Sequence, residues 1–139
     1  MKQLSEELLN AYKATTYRVS DPEFDIRIGK LHPSLDRFME KSGHSTWAFI
    51  TAWNPKSQEL SIDENRARSQ ALTDRLKSHE LSVYNALGIP DKGDWTPEES
   101  LLILGIPRKQ AIELGEELVQ NAIVFGEFGK RAEILVLSP

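Results

Sequence analysis

Thr46-Trp47-Ala48-Phe49-Ile50-Thr51-Ala52-Trp53 is a nearly continuous apolar run bounded by polar loops. Such a run suits a central strand covered on both faces. Downstream, residues 54–60 read as a loop containing Pro55. Ser61 and Glu64 form a Ser-x-x-Glu capping box that opens a helix to about Ser78. Residues 81–87 predict a strand, 88–96 a turn-rich loop, and 100–104 another buried strand. Gly105-Ile106-Pro107 turns the chain into a helix over about 108–119. Strands at 121–126 and 133–137 follow, separated by a glycine-containing turn. Upstream, residues 3–13 predict a helix with Leu4, Leu8 and Tyr12 on one face. Residues 15–19 and 24–28 predict strands, and 33–42 a helix with Leu35, Phe38 and Met39 on its apolar side.

From residue 46 the order is β-α-β-β-α-β plus one last strand. That is the split βαβ, or ferredoxin-like, arrangement: a two-layer α+β core preceded by a helix/strand extension. A three-layer α/β sheet is the alternative. In the first reading, the first and third strands are expected side by side and parallel, with the fourth antiparallel beside the first. The ends of 46–53 and 100–104 would then meet the start of 121–126, gathering Thr51, Trp53, Asn54 and Ser57 near Gly105, Gln120 and Asn121. Asn65 shares a helix face with Ser69, Leu72 and Leu76, so it points at the same sheet edge. Free N–H groups in that first helical turn would favour an anion.

The functional reading of Thr51, Trp53, Asn54, Ser57, Asn65, Gln120 and Asn121 is a pocket for a small polar or anionic ligand, nucleotide-like ones included. The competing reading is that these side chains tie down loop 54–60. It is the commoner case, because Asn, Ser and Thr habitually cap helices and brace turns.

The 139 residues fit one domain, 1–139, with 40% hydrophobic and 27% charged residues. No apolar run exceeds four residues, far below a bilayer span, so no membrane partner is expected. Glu6 and Glu7 stand where a signal peptide would be apolar, which makes the cytoplasm the default compartment. The absence of cysteine excludes disulfides, thiolate metal sites and a cysteine nucleophile. A net charge of −4 argues against nucleic acid as a partner.

Asp91-Lys92-Gly93-Asp94-Trp95-Thr96-Pro97-Glu98-Glu99 is acidic and turn-rich. Glu98 and Glu99 are candidate acid/base residues. A solvated loop is the commoner outcome, and the expected topology sets this segment at the sheet end opposite Asn54. Trp95 is the aromatic best placed to cap a cleft. His32, His44 and His79 match no ligand spacing, so neither a metal nor a cofactor is implied. Arg18, Arg27 and Lys30 form the clearest basic group. Gly115 interrupts a helix, which a close helix–sheet approach would explain.

Several blocks together resemble the bacterial family known as domain of unknown function 3293. They are Ala11-Tyr12, Tyr17-Arg18-Val19, Ile26-Arg27-Ile28-Gly29 and Phe49-Ile50-Thr51-Ala52-Trp53-Asn54-Pro55-Lys56-Ser57. Glu64-Asn65, Trp95, Glu98-Glu99-Ser100, Leu104-Gly105 and Gln120-Asn121-Ala122-Ile123-Val124 complete the set. The resemblance implies a single-domain family without an assigned activity, so it supplies no catalytic residues. It marks Thr51, Trp53, Asn54, Pro55, Ser57, Asn65, Glu98, Glu99, Gln120 and Asn121 as motif positions. Three functional readings follow. One is a ligand-binding domain. Another is a hydrolase or group transferase with Glu98 or Glu99 as acid/base and Asn54 and Gln120 as orienters. The third is a protein-interaction domain that presents an apolar patch in place of a pocket.

Overall fold

A computed structural model describes residues 5–79, 81–91 and 96–137, the Ser57 side chain excepted. In chain order the elements are α1 (Glu6–Lys13), β1 (Thr15–Ser20), β2 (Glu23–Ile26), α2 (Pro33–Ser42) and β3 (Thr46–Thr51). Then come α3 (Ile62–Ser78), β4 (Ser82–Pro90), β5 (Glu98–Leu104), α4 (Arg108–Glu117), β6 (Ala122–Glu127) and β7 (Glu133–Val136). The strands form one seven-stranded sheet in the order β2-β1-β4-β5-β3-β6-β7. Every pairing in it is antiparallel.

The α+β class therefore stands, and β3 lies inside the sheet as its composition requires. The expected parallel pairing does not form. β3 and β5 are neighbours but run antiparallel, with Trp47 opposite Leu104 and Thr51 opposite Ser100. Nor is the core two-layered. Ala48, Ile50, Leu101 and Ile103 pack with Leu72 and Leu76 of α3 and Leu114 of α4. On the other face, Trp47, Phe49, Leu102 and Leu104 pack with Leu35 and Met39 of α2. The reason lies in the residues: strands apolar at odd and even positions alike need cover on both sides. The helix/strand extension is thus part of the fold. It supplies α2 to the second face, and β1 extends the sheet beyond β4. The α/β sheet of the three-layer alternative does not occur either, because every pairing is antiparallel.

Local signals hold where they were strong. Ser61 caps α3 by accepting from the Glu64 N–H at 3.1 Å, and the Glu64 carboxylate accepts from the Ser61 N–H at 3.3 Å. Gly115 does mark a close approach. A Cβ there would lie 2.6 Å from Leu137 Cδ1 and 2.8 Å from Ile123 Cγ2. Among the described residues, no helix is long and apolar enough to cross a membrane.

The fully buried Trp47 ring lies across its cross-strand neighbour Gly126, where any Cβ would collide with the indole. Gly126→Ala should lower stability by about 1–3 kcal/mol, the usual cost of overpacking a filled core. In a urea-denaturation double-mutant cycle with Trp47→Phe, the two losses should be markedly non-additive. Additive losses would show that the indole does not set the glycine requirement.

Candidate functional site

Antiparallel pairing of β3 with β5 brings the start of β5 to the end of β3. Thr51 stands opposite Ser100, Ser100 opposite Ala86, and Glu98 opposite Gly88. Strand alternation then turns Glu98 and Ser100 to one face and Glu99 to the other. The expectation that the acidic segment lies far from Asn54 is overturned, as is its reading as a loop at Glu98 and Glu99. β5 begins at Glu98, and the Asn54 amide Nδ2 donates to Glu98 Oε2 at 2.9 Å. Gly105 closes the opposite end of β5 and does not approach Asn54 through this pairing.

Tyr17, Phe49, Thr51, Gly88, Glu98 and Ser100 lie along the floor of a cleft of about 1010 Å³. Leu8, Ala11 and Tyr12 of α1 form one wall, and the segment from Asn54 through Leu60 to Asn65 forms another. Gly88 leaves room beside Glu98: a Cβ built there would find nothing closer than Ser100 Oγ at 3.9 Å.

The carboxamides meet at this edge but are committed to bracing it. Asn54 takes a left-handed backbone conformation, φ 45°, which asparagine tolerates better than most residues. Its Oδ1 accepts from the Leu60 N–H at 3.0 Å and from Asn65 Nδ2 at 2.8 Å. Asn65, only 2% exposed, accepts the Asn54 N–H at 2.9 Å. Gln120 lines the cleft, and its Nε2 donates to the Trp53 carbonyl at 3.0 Å. Thr51 donates to the Glu99 carbonyl at 2.8 Å and accepts from the Trp53 N–H at 3.0 Å. Asn121 is half-buried at the start of β6 and is not among the residues lining the cleft. The Ser57 side chain and Trp95 lie outside the described residues.

Two groups at the cleft keep polar capacity. Trp53 lines it at 5% exposure, and its buried indole N–H meets no acceptor among the described residues. Among the described residues, the Glu98 carboxylate receives one hydrogen bond, from Asn54. Burial raises its pKa, and the Asn54 hydrogen bond opposes that shift. Burial, then the nearby charge of Glu98, push the Tyr12 hydroxyl up to about 12. Burial raises Tyr17 as well, and its hydroxyl donates to the Tyr12 carbonyl at 2.8 Å. Both phenols are therefore protonated at neutral pH.

Sequence reasoning missed Tyr12, Tyr17 and Gly88 as lining residues, and it missed Arg68 as a clamp. Arg68 donates from Nε to the Ala52 carbonyl at 2.6 Å and from Nη2 to the Leu118 carbonyl at 2.7 Å, tying α3 to the ends of β3 and α4. Its place three residues after Asn65 was the available signal. Glu99 pairs at 3.6 Å with Arg66 on the far face, so the two carboxylates do not work as a pair. Arg18 and Arg27 are committed to Asp25 and Asp91, each at 2.7 Å.

Asn65→Ala should cost about 1–3 kcal/mol in denaturant unfolding, because it strips partners from the Asn54 backbone N–H and side-chain Oδ1. An unchanged midpoint would refute the bracing role. Glu98→Gln keeps an acceptor for Asn54 and should stabilise the protein at neutral pH. A carboxyl whose pKa is raised on folding stabilises fully below its ordinary value of 4.5 and loses that contribution as pH rises through the raised value. The advantage of the variant should therefore vanish in thermal melts below about pH 4.5. A constant difference across pH would exclude Glu98 as its source.

A family model described as protein of unknown function (DUF3293) matches residues 50–123, just over half of the chain. No curated protein and no solved structure matches it. The matched stretch carries Asn54, Asn65, Glu98 and Gln120, whereas Tyr12 and Tyr17 lie outside it. On that match, the chain belongs to the DUF3293 family.

Proposed function

We propose that this protein binds a small polar ligand in the cleft over β1, β4, β5 and β3, with Glu98 engaging the ligand. The observation that carries this reading is a largely buried carboxylate on the floor of a cleft of about 1010 Å³, braced on one oxygen by Asn54. Pockets that combine apolar walls with a few convergent polar groups are the usual small-molecule sites. The charges around the cleft favour a neutral or cationic ligand over an anionic or nucleotide-like one. At the start of α3, Asp63 and Glu64 already place negative charge where an anion would have to sit. The order β4-β5-β3-β6, with α3 and α4 in the connections, supports a split βαβ unit within the larger sheet.

A second reading, acid–base catalysis in a hydrolase or group transferase, draws on the same Glu98. Its raised pKa and its Asn54 contact suit a proton-transferring carboxyl, and elevated pKa values cluster at working sites.

The test is a fragment screen by thermal shift on three proteins: wild type, Gly88→Phe and Glu98→Gln. Gly88→Phe adds a ring to a vacant part of the cleft floor. Fragments that stabilise the wild type should lose their effect in Gly88→Phe, and polar ones should weaken in Glu98→Gln. Fragments that stabilise all three equally would place binding elsewhere.

A further inference from the structure

We infer that the ligand is a small organic cation, an ammonium group carried on a short apolar stem, seated between Glu98 and the aromatic side chains of the cleft. The inference rests on the binding reading above and adds the chemical class.

The first support is charge. The described residues lining the cleft include Glu7, Glu59 and Glu98 and no Lys, Arg or His. Elsewhere, Asp25, Asp91, Glu99, Glu117, Glu127 and Glu133 each pair with an Arg or Lys. Glu98 is largely buried and takes part in none of the described ion pairs. A carboxylate withdrawn from water needs a positive partner more than an exposed one does, and among the described residues its carboxylate is met by the Asn54 amide and by no cation.

The second support is the wall material. Tyr12, Tyr17, Phe49 and Trp53 all line the cleft, and Tyr17 and Phe49 pack edge to face with centroids 5.0 Å apart. Aromatic faces attract ammonium groups through the ring quadrupole, most strongly when water is displaced. They also accept an apolar stem. An anion would meet carboxylates and the negative faces of rings. A metal ion would need several oxygen ligands, yet the side-chain oxygens of Asn54 and Asn65 are engaged in bracing.

Three probes of one shape separate the classes: benzylammonium, benzyl alcohol and benzoate, each titrated at neutral pH into the full-length 15N-labelled chain. Benzylammonium should shift the Gly88 amide and Trp53 indole signals and bind at least about tenfold more tightly than benzyl alcohol, a difference ionic and cation–π recognition readily supply. Benzoate should leave those signals unmoved. Glu98→Gln should reduce benzylammonium to about the affinity of the alcohol while weakening the alcohol far less than the ammonium. Equal binding of alcohol and ammonium, tighter binding of benzoate, or an ammonium affinity unaffected by Glu98→Gln would overturn the cation assignment and leave the cleft reading intact. Silence from all three probes would also overturn the assignment, with the fragment screen deciding the cleft reading separately.

Discussion

With Trp47 opposite Leu104 and Thr51 opposite Ser100, the β3–β5 pair is apolar on both of its faces. Such a pair must be covered twice. α3 and α4 meet one side, α2 the other, and the remaining strands add to the edges. The direction of this single pairing also decides the polar geography. It places Glu98, Ser100 and Thr51 at one end of the sheet, where the chain leaves β3 for the Asn54 loop.

Element positions were legible because their signals are local. The capping box of Ser61 and Glu64, the inward Asn65, and the glycine under Leu137 follow from spacing and sterics. Strand direction was misread. β5 lies between β4 and β3 and pairs antiparallel with both, which leaves β3 and β4 parallel across the α3 crossover, as a split βαβ unit requires. That one misreading sent Glu98 to the wrong end. Gly88 and Pro90 added to the error, since both residue types signal turns. Here Pro90 closes β4, and Gly88 sits within it opposite Tyr17 and Glu98.

The amide cluster was legible as a gathering and not as a pocket. Asn54 and Asn65 spend most of their hydrogen-bonding capacity on each other and on Leu60. What remains to Asn54 goes to Glu98. One residue thus fixes the loop and the carboxylate together, so the rigidity of the edge is passed to the group that faces the cleft. Arg68 reinforces the same edge from behind. Supporting side chains of this kind stiffen the edge of a small domain, which would lower the ordering cost of the binding proposed above.

The hollow beside Glu98 owes its width to a hydrogen atom. Gly88 holds ordinary strand geometry, and its φ lies outside the left-handed range that only glycine visits readily. Alanine, serine or valine would therefore keep the register and merely narrow the chamber. The width of the cleft is tunable through one codon, with the carboxylate and its brace left in place.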